Sequence, residues 1–280
     1  MKKVCFAVAA MVAVQALAAW YVPNPQIQNV EKDIVYGEHE RCKLDVMWPK
    51  DGAKGLPVLV WFHGGGLTGG DKFFVPFNDS HIVQVAVRYP FLQKDGSVTA
   101  DILLDATAQA VVWTLKNVEK YGGDAKKVFV SGHSAGGYIT MMLGLDPKWL
   151  GKYGFSPADL AGIAPLSGQS TKHFNVRKFS GDEDPQFLPK IDAYAPLAHV
   201  SEKAYPPILV VSGDPAANEW KARAEENELL VASLRACGHA KDVGYIRLPM
   251  TDHGTMLLPG LMYVQQFIRR LAPAPKGKRK

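Results

Sequence analysis

A sharp turn between a strand and a helix is the feature of this chain that most restricts its fold. The apolar run 127–131 predicts a buried strand, and the stretch 137–143 has the pattern of a helix. Between them lies the pentapeptide GHSAG, residues 132–136. Glycines flank the serine in such a turn because it leaves no room for a Cβ, and the serine itself takes a strained backbone conformation. The motif predicts a nucleophile elbow that exposes the Ser134 hydroxyl.

A glycine-rich segment upstream supplies the second constraint. The run 57–62 predicts a buried strand, and it ends in HGGG at residues 63–66. Consecutive glycines let backbone N–H groups approach a substrate carbonyl and face a developing oxyanion. We predict that Gly65 and Gly66 donate from this loop, and that Ala135 donates from the start of the helix after the serine. His63 is predicted to anchor the loop rather than to carry a proton.

The general base is predicted in the last loop of the chain. The strand 244–248 is followed by the polar loop PMTDHG at 249–254. In chains with both motifs the nucleophile comes first, the acid second and the histidine base last. His253, in the last loop, is therefore the predicted base for Ser134. The other histidines lie in the elbow, beside helical stretches or elsewhere outside this loop: His39, His81, His133, His173, His199 and His239.

The carboxylate that orients the base should follow the strand 208–212. Asp214 is the first choice because it directly follows this strand and precedes a proline, and Glu219 is the alternative. An ordinary loop aspartate that caps the next helix would fit the same sequence. Asp252 is a poorer choice because adjacent side chains on an extended loop point apart.

The rest of the chain alternates strands with amphipathic helices. Strands are predicted at 30–36, 42–48, 58–62, 82–87, 128–131, 162–166, 208–211 and 245–248, and helices at 101–120, 137–145, 219–236 and 260–271. This order predicts an α/β fold, with a mostly parallel eight-stranded sheet and helices on both faces. The first two strands have no helix between them, so we predict an antiparallel start.

One segment, 168–206, departs from this alternation. It is rich in charged residues, proline and phenylalanine. Such an insertion after the sixth strand can lie over the serine as a cap that shapes a substrate pocket, or it can be a plain surface excursion. Its acidic run at 182–184 is more typical of a solvated face than of a metal site.

The first residues predict export. Lys2 and Lys3 precede the apolar run 4–17, and ALA at 16–18 fits a cleavage site, which together indicate a signal peptide over 1–18 and a secreted or periplasmic protein. The run is shorter than the roughly 20 residues that span a bilayer, so no stable membrane insertion is expected. A hydrolase-type domain over 19–272 and a basic disordered tail over 273–280 complete the predicted organisation.

Charge and cysteine content exclude several other classes. Much of the formal net charge of +5 comes from lysines and arginines at the two ends, and no basic stripe with interleaved aromatics indicates nucleic-acid binding. No Cys/His cluster has zinc spacing and no glycine-rich loop carries the lysine of a phosphate site, so neither metal nor cofactor is predicted. After export Cys42 and Cys237 remain, and the sequence leaves open whether they pair.

Four segments give the chain a family resemblance: HGGGLTGGDK at 63–72, the stretch 121–150, APLSGQ at 164–169 and DHGTM at 252–256. They resemble bacterial α/β-hydrolases of the carboxylesterase group, which includes hormone-sensitive-lipase-like and feruloyl-esterase-like enzymes. The resemblance spans about 27–271 and implies Ser134 as nucleophile, His253 as base and an oxyanion hole of Gly65, Gly66 and Ala135. Many relatives carry the acid where this chain has Ala216.

The motifs and the resemblance together predict a secreted serine carboxylesterase. Its expected substrates are short-chain or aromatic acyl esters, and the resemblance to feruloyl-esterase-like enzymes implies acetyl or feruloyl groups on plant polysaccharide. Two alternatives use the same fold: an arylformamidase-type or peptidase-type amide hydrolase, and a weakly active or non-catalytic binding protein. A lipase is less favoured because no long apolar lid is present in the sequence.

Overall fold

The computed structural model describes residues 21–201, 205–220, 222–239 and 241–273, and one eight-stranded sheet forms its centre. The strands are β1 (Gln28–Val35), β2 (Lys43–Pro49), β3 (Leu56–Phe62), β4 (Val83–Arg88), β5 (Gly123–His133), β6 (Gly162–Leu166), β7 (Ile208–Ser212) and β8 (Val243–Arg247). They lie in the order β1-β2-β4-β3-β5-β6-β7-β8. Both pairings of β2 are antiparallel and the others are parallel. The predicted mostly parallel sheet with an antiparallel start is confirmed.

Helices follow β4, β5, β6, β7 and β8 in the chain, whereas β3 and β4 are joined by a segment without a helix. The helices are α1 (Ala100–Asn117), α2 (Ala135–Leu145), α3 (Pro147–Gly151), α4 (Phe174–Phe179), α5 (Arg223–Leu234) and α6 (Leu257–Leu271), with short helical turns at Val118–Tyr121, Pro157–Asp159, Pro196–His199, Pro215–Ala217 and Arg235–His239. The helix predicted from Glu219 begins only at Arg223. Asn218 and Ala222 adopt left-handed conformations, with φ of 70° and 60°, which a helix cannot contain. Glu219 therefore lies in the loop after β7.

The central strand β3 shows how helices cover both faces of the sheet. All seven of its residues are buried, as in a parallel strand with packing on each side. Val58 and Val60 belong to the apolar cluster that includes side chains of α1, α2 and α5. Leu59 and Trp61 point the other way and belong to the cluster that includes α6. Because β3, β5, β6 and β7 are adjacent and parallel, their carboxyl ends meet at one edge of the sheet.

The segment 168–206 contains α4 and a loop that is closed by one buried cation. The Arg177 side chain, 2% exposed, donates to both carboxylate oxygens of Asp182 at 2.8 and 3.0 Å. It also donates to the carbonyls of Pro185 and Leu188 at 3.1 and 2.6 Å. Asp182 is thus paired rather than simply solvated. These bonds give residues 182–188 a defined conformation without a regular element.

Several predictions concern the ends of the chain and its thiols. The signal peptide predicted over 1–18 lies outside the described residues, as does the basic tail after residue 273. Within the described ranges, no helix has the length and apolar character needed to cross a membrane. Cys42 is buried, Cys237 is half-buried, and both are free thiols, which answers the question that the sequence left open.

Candidate active site

Ser134 occupies a nucleophile elbow between β5 and α2. Its backbone has φ of 58° and ψ of −114°, a strained combination for a residue with a side chain. A Cβ on Gly132 would lie 2.6 Å from Phe62 O, and one on Gly136 would lie 2.0 Å from the same atom. Both flanking glycines are therefore required by the close approach of β3, and the predicted strand-turn-helix arrangement is present.

Three side chains from three loops form a hydrogen-bonded line. His253 Nε2 lies 2.9 Å from Ser134 Oγ, and His253 Nδ1 lies 2.7 Å from Glu219 Oε1. His253 and Glu219 are 7% and 6% exposed. Glu219 also accepts hydrogen bonds from two backbone N–H groups, those of Gly213 at 2.9 Å and Trp220 at 2.8 Å. This arrangement can move a proton from the serine to the imidazole.

The prediction that Asp214 orients the base is wrong, and Glu219, the alternative, holds that position. Asp214 Oδ1 accepts from Ala216 N at 3.0 Å, so it caps the turn Pro215–Ala217. Its Oδ2 accepts from Met250 N at 3.0 Å, and its own N–H donates to Thr251 O at 2.7 Å. Asp214 therefore fixes the loop that carries His253 but does not contact that ring. The left-handed conformation of Asn218 turns the chain so that the Glu219 carboxylate lies at the end of β7, where it accepts from Gly213 N.

The environment of Glu219 decides which nitrogen of His253 carries the proton. Burial alone would raise the pKa of this carboxyl, but the hydrogen bond and charge of His253, the Trp220 N–H and the Arg223 guanidinium outweigh it and lower the pKa to about 2. An ionised carboxylate can only accept, so Nδ1 of His253 must donate. Its Nε2 then presents a lone pair to the Ser134 hydroxyl.

The glycine loop passes beside the nucleophile in a conformation that only glycine adopts readily. Gly65 and Gly66 have φ of 115° and 65°, and a Cβ on Gly65 would lie 2.0 Å from Gly69 O. A Cβ on Gly64 would be 3.5 Å from the Cβ of Ser134, which places the loop next to the elbow. Gly65 and Gly66 thus directly follow a residue that lies against Ser134, and Ala135 follows Ser134 in the chain. Their donation to an oxyanion stays a prediction.

Buried polar side chains anchor this loop. His63 is 1% exposed and stacks on Tyr89 with ring centroids 4.3 Å apart. Its Nδ1 lies 2.6 Å from Gly64 O, and burial lowers its pKa to about 4, so it is neutral and held in place. Arg41 donates to Gly70 O at 3.1 Å, and Lys72 pairs with Asp45 at 2.8 Å. The predicted anchoring role of His63 agrees with these contacts.

His133, assigned from the sequence only to the elbow, joins the elbow to the base loop. Its Nε2 lies 2.7 Å from the backbone oxygen of His253. The ring is 2% exposed, and burial together with the charge of His253 lowers its pKa to about 3. A neutral imidazole with the proton on Nε2 donates this bond, so the nucleophile and the base are fixed to each other through the residue before Ser134. No sequence signal distinguished this role.

Three buried histidines should make the protein less stable in mild acid. Burial lowers the pKa of His63 to about 4 and of His133 to about 3, and it lowers the pKa of His173 well below its usual value. The unfolded chain takes up these protons near pH 6.5, so the free energy of unfolding should fall as the pH drops from about 6.5 towards 4, by up to about 1.4 kcal/mol per pH unit for each histidine.

Urea unfolding at pH 7 and pH 5 measures this dependence. The variant His133→Gln keeps a side-chain donor but cannot titrate. Between pH 7 and pH 5 its free energy of unfolding should therefore fall less than that of the wild type, by about the amount that one titrating histidine contributes. Equal pH dependence in the two proteins would mean that His133 is protonated in the native state.

An aromatic wall borders the Ser134 site. It consists of Phe174 and Phe187 from the segment 168–206 and Trp220 from the acid loop, with the Trp220 centroid 5.5 and 6.0 Å from the two phenylalanine centroids. Trp220 also stacks on His253 at 5.1 Å. Phe174 extends towards the glycine loop, where its ring lies 3.9 Å from a Cβ built on Gly66. The segment 168–206 thus shapes one side of the site.

In the part of the chain that the structure describes, the acidic and histidine side chains do not cluster for metal binding. Among the residues that the structure describes, no three His, Cys, Asp or Glu side chains are grouped in a way that could hold a metal ion. Asp182 and Asp184 from the acidic run are instead paired with Lys190 at 2.9 and 2.5 Å. These two aspartates of the acidic run are thus held in ion pairs with a lysine.

The sheet and the elbow define an α/β-hydrolase whose polar side chains have the arrangement of a serine hydrolase. The BD-FAE family model matches residues 44–218, more than half of the chain, and the chain belongs to this family. The predicted resemblance to α/β-hydrolase carboxylesterases is thereby confirmed. The match ends one residue before Glu219 and does not reach His253, so the pairing of these two residues rests on the structure.

Two of the curated relatives that the chain resembles are ester hydrolases by name. Esterase LipC of Mycobacterium tuberculosis is 27% identical over 261 residues, covering 81% of this chain and 60% of LipC. The probable carboxylic ester hydrolase LipM of the same organism is 26% identical over 254 residues, covering 81% and 56%. The chain thus spans less than two thirds of these curated relatives. A truncated carbohydrate esterase from gut microbiota shares the fold, with a TM-score of 0.72 at 13% identity over 90% of this chain and 99% of that one.

Proposed function

We propose that the protein is a serine carboxylesterase with Ser134, His253 and Glu219 as its catalytic residues. The observation that carries this proposal is the continuous line of hydrogen bonds from Ser134 Oγ through both nitrogens of His253 to Glu219. Membership of the BD-FAE family and similarity to named esterases support the same chemistry. The geometry alone would equally serve an amide hydrolase, so the ester assignment rests on these relatives.

The proposed reaction has two halves that use the same groups. His253 Nε2 takes the Ser134 proton as Oγ attacks the ester carbonyl, and the resulting imidazolium is stabilised by the ionised Glu219. Collapse of the tetrahedral intermediate transfers that proton to the departing alcohol and leaves an acyl-serine. Water, deprotonated by His253, then attacks the acyl carbon, and the serine is regenerated when the acid leaves.

The oxyanion is proposed to be held by the backbone N–H groups of Gly65, Gly66 and Ala135. Donors fixed before the reaction need no reorganisation when the negative charge develops, and each is worth about 3 kcal/mol in comparable sites. The positive φ of Gly65 and Gly66 and the bonds of Arg41 and Lys72 around the loop support this preorganisation.

The proposed substrates are short-chain or aromatic acyl esters, including acetyl or feruloyl groups carried on plant polysaccharide. The aromatic wall supports an aromatic acyl group, because a planar ring can pack against Phe174, Phe187 and Trp220 beside the nucleophile. Phe187 is 39% exposed, so a ligand ring can cover a surface that water now contacts. Export to the compartment where such polymers occur is part of this proposal and is supported by the pattern of residues 1–18.

Replacing Phe187 with alanine should change selectivity without impairing the chemistry. We expect kcat/KM for methyl ferulate to fall about tenfold, because an aromatic pair contributes roughly 0.5–1.5 kcal/mol beyond its buried area. Hydrolysis of p-nitrophenyl acetate should stay within about twofold of wild type, since its acyl group carries no ring to pack against Phe187. Leu188→Ala, which alters an adjacent side chain that is 45% exposed, is the matched control. An equal loss on both esters would contradict a role for the wall in binding the acyl group.

A substrate panel with active-site labelling tests the proposed function. Purified protein should hydrolyse p-nitrophenyl acetate, p-nitrophenyl butyrate or methyl ferulate, and a fluorophosphonate should label Ser134. Faster turnover of N-formylkynurenine or a peptide anilide than of any ester would instead assign an amide hydrolase. Neither hydrolysis nor labelling would indicate a binding protein on this fold.

A further inference from the structure

Ser167 is a buried serine immediately after β6, and its backbone is held between two neighbouring strands. Its N–H donates to Val211 O at 2.7 Å, on the β7 side. The residue before it, Leu166, accepts a hydrogen bond from the N–H of Ser134 at 2.9 Å. Ser167 is therefore fixed relative to both the elbow and the strand that leads to Glu219.

The backbone conformation of Ser167 is one that favours glycine. Its φ is 45°, and its side chain is fully buried. A side chain in this region costs conformational energy that glycine would avoid. The Ser167 hydroxyl, carried in this conformation, makes one side-chain contact.

That contact is with the base. Ser167 Oγ lies 2.9 Å from His253 Nδ1, the same nitrogen that Glu219 Oε1 approaches at 2.7 Å. Because Glu219 is ionised and can only accept, Nδ1 carries a proton, and Ser167 Oγ is a second acceptor for it. Two acceptors thus hold the Nδ1 side of the imidazole, while its Nε2 faces Ser134.

We propose that Ser167 is a positioning residue that acts through His253 in the esterase reaction proposed above. By sharing the Nδ1 proton with Glu219, its hydroxyl restricts rotation of the imidazole and keeps Nε2 directed at the nucleophile. The same bond strengthens when the ring becomes an imidazolium, since a charged donor makes a stronger hydrogen bond. Ser167 does not touch the substrate, so its effect falls on kcat rather than on KM.

Kinetics of two variants test this role. Ser167→Ala removes the hydroxyl, and Ser167→Gly removes it while suiting the φ of 45°, so the second keeps the test valid if the first folds poorly. Each should lower kcat for p-nitrophenyl acetate roughly ten- to a hundredfold with KM little changed, the range expected for one hydrogen bond to a charged group. Ser170→Ala is the matched control, a fully buried serine in the same loop whose hydroxyl has no partner among the described residues.

The same substitution in a second background shows whether Ser167 acts through His253. In Glu219→Ala, Ser167 is the remaining acceptor for Nδ1–H, so Ser167→Ala should lower kcat by a larger factor there than in the wild type. A factor equal to that in the wild type overturns the proposal, because independent sites act multiplicatively.

A measurement without turnover separates this proposal from the esterase assignment. The proton resonance of His253 Nδ1–H in the NMR spectrum of the intact protein should shift in Ser167→Ala and Ser167→Gly and stay unchanged in Ser170→Ala. An unchanged resonance in all three variants overturns the positioning role, whatever substrate the enzyme uses. A shifted resonance in a protein that cleaves no ester would support the positioning role and reject the esterase assignment.

Discussion

Ser134→Ala should abolish ester hydrolysis, with kcat falling about 10⁶-fold, the loss typical of removing the nucleophile of a serine hydrolase. Alanine keeps the Cβ that the strained φ of 58° already accommodates, so the fold should be retained. The measurement is steady-state hydrolysis of p-nitrophenyl acetate, together with loss of fluorophosphonate labelling. Circular dichroism and thermal unfolding should match the wild type.

Ser131→Ala is the matched control for this change. Ser131 lies three residues earlier on β5, is fully buried within the sheet, and its hydroxyl donates to Ala164 O rather than to the catalytic groups. Its kcat should stay within a fewfold of wild type. If Ser134→Ala kept more than about a hundredth of the activity, another nucleophile would have to carry the reaction.

Glu219→Gln should lower kcat about 10⁴-fold, whereas Asp214→Asn should lower it less than about tenfold. The amide introduced by the first substitution would donate to Nδ1 and stabilise the wrong tautomer of His253, which is the effect measured when the orienting carboxylate of a triad is replaced by its amide. Asparagine at position 214 keeps one oxygen that can accept from Ala216 N and cap the turn Pro215–Ala217, but its NH₂ group cannot accept from Met250 N, so a small loss is expected.

Parallel assays of the two variants decide between the carboxylates. The chemical change is the same in both, a carboxylate to its amide, but only Glu219 contacts His253. Comparable losses in Glu219→Gln and Asp214→Asn would show that fixing the base loop matters as much as orienting the ring. A larger loss in Asp214→Asn would reject Glu219 as the acid.

The elbow and the glycine loop are predictable from the sequence because their constraints are local. Gly132, Gly136 and the HGGG segment each encode a backbone path over a few residues, and the strands around them are nearly continuous apolar runs. His253 could be assigned because its loop follows the last strand. The order of the strands in the sheet then places these segments at the same edge.

The acid could not be predicted in the same way because its position depends on where a helix begins. The stretch 219–236 has a helical pattern, but the left-handed residues Asn218 and Ala222 delay the helix to Arg223 and leave Glu219 free to turn towards His253. Asp214 satisfied the expected position along the chain, yet a capping role competes for the same residue type.

The aromatic wall and the role of Ser167 required three-dimensional information. Phe174 and Phe187 lie in the segment 168–206, for which the sequence left a cap or a plain surface excursion open, and no spacing relates them to Trp220. Ser167 lies in a segment that the resemblance included, but its importance appears only when β6 and the last loop are placed side by side.

The loop closed by Arg177 has a consequence for how such an enzyme can change its substrate. Its hydrogen bonds to Asp182, Pro185 and Leu188 make the loop that carries Phe187 a self-contained unit. The three catalytic side chains lie on other loops, and the hydrogen bonds between them do not involve residues of that unit. Substrate selectivity can therefore be altered, by mutation or by grafting residues 182–188 from a related protein, without replacing any of the three catalytic residues.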